Sequence, residues 1–232
     1  PARETITRQS QKVDAGSQAM GLHIENGTTP LPPDIIAFFS EKSASRGSQT
    51  TLCDGHELWK NMSAAFKQKF AEPMTIRRYL PKPIWQKYVA TVLNIENAEQ
   101  VGLQELERFI QMVPGQQISP AHDQGVHYHL NMPMVRHDTL KGIPAFANTL
   151  LGPSYNYEKP RFYFADGSEI SPDLLAELAE RCEARTSEID WQDGDLVIID
   201  NKRFMHGRRE ILVPLEQRKL YICMGLGLNP DF

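Results

Sequence analysis

Cysteine is close to absent. Cys53, Cys182 and Cys223 are odd in number and far apart in 232 residues, so no disulfide framework fits the chain and the thiols suit a reducing compartment. Long apolar runs are lacking too: nothing approaches the roughly 20 consecutive residues that a membrane-spanning helix needs. The opening Pro1-Ala2-Arg3-Glu4-Thr5 does not have the pattern of a secretory signal. Positive charge is not in excess. With 25 Lys and Arg against 29 Asp and Glu, the net charge is −4 and the pI near 6.0, which argues against a nucleic-acid footprint. Internal repeats and low-complexity tracts are missing. These absences leave an expected cytoplasmic, soluble protein whose length fits one domain, or one domain with an appended subdomain.

Strand-like and helix-like segments interleave. Residues 48–53 form a β-rich run that meets Asp54, a cap for a helix expected over residues 55–70, where Leu58, Met62, Ala65, Phe66 and Phe70 recur at helical spacing. Residues 76–80 read as a strand stopped by Pro81, residues 85–93 and 100–112 as helices, and residues 126–134 as an alternating, half-buried strand. Ser171-Pro172-Asp173 starts a helix with Leu174, Leu175, Leu178 and Cys182 on its apolar face. Asp193-Gly194 turns the chain into a buried-looking strand over 195–200, and residues 217–225 are the last strand. The pattern is α+β and mainly β, a single domain over residues 1–232 with a mostly helical insertion around 81–120.

Chemistry concentrates in two places. In His23-Ile24-Glu25 an extended backbone would turn the imidazole and the carboxylate to one face. His206 follows 183 positions later, where the apolar residues 196–199 run into a polar turn. Two His and one carboxylate on one side of an ion, with other positions open, is the facial arrangement of non-haem Fe(II) oxygenases. A closed antiparallel β structure would bring the distant His back. Taken alone, a His-x-Glu pair is usually alternating strand surface, Thr50 an ordinary strand residue and Arg218 an exposed or ion-paired one.

The order of several segments carries a family resemblance: residues 22–26, 32–40, 47–55, 164–170 and 191–195, then His206-Gly207-Arg208. Over residues 18–226 the chain resembles the taurine dioxygenase-like family of Fe(II)/2-oxoglutarate-dependent oxygenases, nearest its clavaminate-synthase-like branch. The resemblance implies a double-stranded β-helix (jelly-roll) core with flanking and inserted helices. It implies His23, Glu25 and His206 as catalytic iron ligands, Thr50 and Arg218 as the contacts of the distal 2-oxoglutarate carboxylate, and Fe(II), 2-oxoglutarate and O2 as the reacting set. Arginine suits that role because its planar fork gives a carboxylate two parallel bonds. The expected reaction hydroxylates an amino-acid-like small molecule, free or tethered to a carrier, with release of succinate and CO2. Two features depart from relatives: only 22 residues precede His23, and Ile222 stands where taurine-specific members place a second arginine. Taurine is therefore not the expected substrate, and Glu25, a small residue in related halogenases, speaks against halogenation.

Two other classes compete. A zinc hydrolase could use the same two-His, one-Glu set with a bound water, but would have no use for Arg218. A non-catalytic jelly-roll binding protein would not need every ligand position filled. The cluster of His122, His127, His129 and His137 is a decoy with no nearby carboxylate or cysteine at a recognisable zinc spacing. It reads as a solvent-facing strand side or as polarity in a substrate pocket. Arg208 and Arg209 are expected to order the turn after His206, with a second anion contact open to Arg208.

Overall fold

The computed structural model describes residues 6, 10–13, 16–112, 115–152 and 158–225; residues 1–5, read above for a signal, lie outside them. Period-two alternation builds the first sheet. Ser10–Lys12 (β1), Ile35–Lys42 (β3), Leu196–Asp200 (β12) and Lys219–Gly225 (β14) pair antiparallel in the order β1-β14-β3-β12. Along β3, Ile36, Phe38 and Ser40 are buried while Phe39 and Glu41 are exposed, as a pleated strand with one wet face requires. A second sheet contains Met20–His23 (β2), Thr50–Asp54 (β4), Thr186–Ile189 (β11) and Phe204–Arg208 (β13), ordered β11-β4-β13-β2.

That second sheet is covered on both faces. Leu52 and Phe204 pack with Ile36, Phe38, Ile199, Leu220 and Ile222 of the first sheet. Cys53 and Met205, one residue along on the same strands, point the other way into the largest core. There they meet a third sheet of Met74–Leu80 (β5), Gln116–Pro120 (β6), Val126–Met132 (β7) and Arg161–Tyr163 (β10), ordered β10-β5-β7-β6. Val135–His137 (β8) pairs with Pro144–Phe146 (β9), and Phe146 is fully buried in the same core.

Five α-helices complete the described residues: Gly55–Lys60 (α1), Ala64–Lys69 (α2), Lys82–Leu93 (α3), Leu103–Met112 (α4) and Pro172–Glu183 (α5). α3 and α4 enclose a separate small core of Trp85, Val89, Ala90, Val101, Leu106 and Phe109 against Val126. The architecture is mainly β with helices inserted.

Several boundaries differ from the sequence reading. The single helix expected over 55–70 is broken in two. The side chain of Asn61 donates to the Glu57 carbonyl at 2.7 Å and Ser63, extended, caps a new helix by accepting from the Phe66 amide; such local bonds compete with the helical ladder. The strand expected over 126–134 ends at Met132, because Pro133 has no amide to donate. β12 is not buried on both faces: it lies at a sheet edge, with Leu196 62% and Ile198 66% exposed.

Asp54 joins two layers. Its carboxylate caps α1 through the His56 amide at 2.9 Å and takes a bidentate pair from Arg203, 3.1 Å to Nε and 2.5 Å to Nη2. Burial pushes this carboxyl up, but the bonds from Arg203 and the His56 amide outweigh it and leave it below its ordinary range. Asp54→Ala is expected to lower stability by about 0.5–2 kcal/mol, read as a lower urea midpoint at unchanged m value. A depressed carboxylate stabilises above its unfolded pKa and loses that contribution as pH falls through the folded one. The gap between wild type and Asp54→Asn should therefore close as pH drops below about 4.

Candidate metal centre and co-substrate pocket

β13 runs between β2 and β4, and His206 is the register partner of both His23 and Leu52. Residues directly across an antiparallel pair share a face, so the two imidazoles stand side by side, ring centroids 4.4 Å apart. Glu25 reaches them from outside the strand, since β2 ends at His23. The same-face alternation expected for His23 and Glu25 is thus not what aligns them. Asn201 places Glu25 instead: its Oδ1 accepts from the Glu25 amide at 2.8 Å, and its Nδ2 donates to the Glu25 carbonyl at 3.2 Å and the Pro33 carbonyl at 2.7 Å.

The three side chains are buried, and one ligand atom from each lies within 4.8 Å of the others. Nε2 of His206 is 3.6 Å from Oε2 of Glu25. Nδ1 of His23 is 2.8 Å from the Gly21 carbonyl; a carbonyl only accepts, so this nitrogen carries the proton and Nε2 keeps its lone pair. Two imidazoles and a carboxylate at this spacing fit one divalent cation, because bonds of about 2.0–2.2 Å to a common ion set the ligand atoms about 3–4 Å apart. Among the described residues this is the one group of three or more His, Cys, Asp or Glu so arranged. His122, His127 and His137 are exposed and His129 half-buried, and they do not gather.

Close backbone approach keeps the cluster compact. A Cβ on Gly21 would meet the Leu151 carbonyl oxygen at 2.2 Å, and one on Gly152 the Gly21 oxygen at 2.1 Å and Nδ1 of His23 at 3.1 Å. Only glycine lets these two segments lie together beside the His23 ring.

Thr50 and Arg208, register partners on β4 and β13, continue the face that carries His206. The Trp191 indole N–H donates to Thr50 Oγ1 at 2.9 Å, which leaves the threonine proton to be donated elsewhere. Arg218 is 5% exposed; its Nε donates to Ser48 Oγ at 2.5 Å and its Nη1 to the Val13 carbonyl at 2.6 Å. Ser48 sits in the left-handed region at φ 72°. The Arg208 Nη2 donates to the Gly16 and Gln18 carbonyls at 2.8 and 2.7 Å, and Arg209 pairs with Glu183 and Glu188 on the surface. The Phe38 ring packs edge-to-face with both His206 and Trp191, at ring-centroid separations of 5.5 and 6.3 Å.

The sequence profile of the taurine catabolism dioxygenase TauD, TfdA family matches residues 2–224. The chain belongs to that family. No curated protein matches the chain. Among solved structures, this TauD, TfdA family member is similar to a taurine dioxygenase from Burkholderia xenovorans, at TM-score 0.56 and 14% identity over 94% of this chain and 62% of that one. It is similar to an asparagine oxygenase in complex with Fe(II), 2S,3S-3-hydroxyasparagine and succinate, at 0.57 and 15% over 94% and 56%. A third likeness is to AAD-2 in complex with Mn(II) and N-oxalylglycine, at 0.54 and 16% over 91% and 64%. The chain therefore shares their fold and spans between 56% and 64% of their length.

Two residues that serve this family member's site were not legible as such. Trp191 stands two positions before the Asp193-Gly194 turn, a signal that marks a strand start and not a donor to Thr50. Asn201 follows an apolar strand and looks like the first residue of a polar turn; only its 1% exposure marks it as structural. Asn201→Ala would strip three hydrogen bonds from buried backbone groups around Glu25. We expect a loss of about 2–4 kcal/mol by chemical denaturation.

Proposed function

We propose that this protein is an Fe(II)/2-oxoglutarate-dependent dioxygenase that hydroxylates an amino-acid-like small molecule, free or carrier-tethered. The observation that carries the reading is the buried convergence of His23, Glu25 and His206 between two packed sheets. Family membership and likeness to structures holding Fe(II) with succinate, or Mn(II) with N-oxalylglycine, support it. We read residues 1–232 as one oxygenase domain on a double-stranded β-helix, with α3 and α4 as its insertion. Among the described residues no helix is long and apolar enough to cross a membrane. The free state of all three cysteines supports a cytoplasmic assignment.

In this reading His23, Glu25 and His206 hold the iron. Bound iron, with 2-oxoglutarate and O2, supplies the oxidising power that yields succinate and CO2 and places an oxygen atom on the substrate. The chain's own residues prepare the site. The Gly21 carbonyl fixes the His23 tautomer and raises its basicity as a ligand. Glu25 brings one negative charge, so the triad leaves positive charge for an anionic chelator to neutralise. Arg218 would offer the distal carboxylate a fixed cation, and Thr50, its oxygen already engaged by Trp191, would be free to donate its proton there. Phe38, Leu52 and Ile222 share one apolar cluster, in which Phe38 packs against His206. Ile222 offers no cation, so we propose a substrate other than taurine.

Succinate release on incubation with Fe(II), ascorbate, 2-oxoglutarate and a metabolite extract tests the reading, with mass spectrometry of the extract for a compound that gains one oxygen atom. Metal binding without 2-oxoglutarate turnover would overturn it. His206→Ala is expected to weaken Co(II) binding by more than about a hundredfold, since loss of supporting groups alone costs about 10–100-fold; retained binding would remove His206 from the site. Arg218→Ala is expected to weaken 2-oxoglutarate about tenfold to a thousandfold, the cost of an unpartnered buried charge. Arg218→Lys should recover only part of this, because a point charge lacks the fork. Anaerobic titration of the Fe(II) protein reads both.

A further inference from the structure

A cavity of about 110 Å³ lies where the helical insertion meets the third sheet, away from the residues given roles above. Its walls are overwhelmingly apolar, from Trp85 and Val89 of α3, Leu106 and Phe109 of α4, Ile118 of β6 and Val126 of β7. Ile84, also on its lining, is 38% exposed, so the cavity reaches the surface there. Protein interiors hold few voids larger than a water molecule, and an empty one costs stability in proportion to its volume.

Arg78, Tyr88 and Tyr128 bring polar groups to this lining, and Gln116 brings a buried acceptor without a partner among the described residues. Gln116, 6% exposed, donates through Nε2 to the Phe109 and Ile110 carbonyls at 3.3 and 3.4 Å. Those bonds fix the amide orientation and leave Oε1 as the free end. That oxygen is buried and accepts no hydrogen bond among the described residues. The void and the orphan acceptor are separate liabilities, and one occupant removes both if it is apolar over most of its surface and carries one donor.

We infer that this cavity is a binding site for a small, mostly apolar molecule bearing a single O–H or N–H donor, of the size of phenol, with the donor on Gln116 Oε1. The size follows from comparison: an apolar cavity of about 150 Å³ takes benzene, and an opening at the surface relaxes the limit. Thr28, Thr29 and Pro30 also line the cavity. The site therefore touches the segment that begins three residues after Glu25. The inference concerns binding alone and stands whether or not the oxygenase reading does.

The test is a titration of the metal-free protein with phenol and with toluene, followed by ¹H–¹⁵N chemical shifts. Saturable shifts in α3, α4 and the Thr28–Pro30 segment are expected, with phenol bound more tightly than toluene although it is the more water-soluble. In Gln116→Leu, phenol affinity should fall about fivefold to a hundredfold, the effect of a donor buried without an acceptor, while toluene binding persists and reports an intact cavity. Absence of saturation by either compound would overturn the site. Toluene binding as tightly as phenol in the wild type, where no substitution can disturb folding, would overturn the role of Gln116, as would an unchanged phenol affinity in Gln116→Leu.

Discussion

β13 is paired on both edges, to β2 through His206 and His23, and to β4 over five consecutive positions from Phe204↔Asp54 to Arg208↔Thr50. Side chains alternate with a period of two, so a slip of one residue would turn His206 into the opposite core and bring Met205 inward. The burial of Met205 on one face and of His206 on the other makes that slip costly on both. The register is thus locked by apolar packing on the face without chemistry. Where the ladder to β2 needs to change, it shifts between His206 and Arg208, past the residue whose position matters most.

Around this frame the interior has to hold charge. Glu25, Arg208 and Arg218 are each about 5% exposed, and an ion buried without partners is expensive. The two arginines are satisfied in part by main-chain carbonyls: Val13 for Arg218, Gly16 and Gln18 for Arg208. Each guanidinium therefore doubles as a clasp that holds the early part of the chain against β13 and the start of β14. Guanidinium suits this work, since its rigid fork can donate to the backbone on one edge and present charge on another. Glu25 is held by its own main chain through Asn201, which leaves its carboxylate for the histidines.

The sequence was legible where pattern and chemistry coincide. The β-rich run at residues 48–53 overlaps β4, the last strand expected over 217–225 starts two residues later at Lys219, and the Ser171-Pro172-Asp173 start marked α5, whose N-cap Ser171 accepts from the Leu174 amide. The residue types His23, Glu25 and His206 stood out because few folds use them together, and the chain brings them together. What was not legible depends on the third dimension. The expected helix over 55–70 fails because Asn61 and Ser63 bond locally. The expected burial of the 195–200 strand fails because its place at a sheet edge is a matter of topology, not composition. Trp191 and Asn201 act through partners 141 and 176 positions away, and no local window contains such a pair.

The tight contact between Gly21 and Gly152 bears on how substitutions in this protein are interpreted. Neither residue has a side chain to offer chemistry, yet an added carbon on either would strike a carbonyl oxygen on the facing segment, and one on Gly152 would also press on the His23 ring. A survey of variants scored by turnover would rank these two glycines beside the histidines, and selection would hold them as firmly. Sensitivity to replacement near this centre therefore measures crowding as much as reactivity. The two are told apart by what restores function: a ligand is rescued by another donor, whereas a crowded glycine is rescued only by making room across from it.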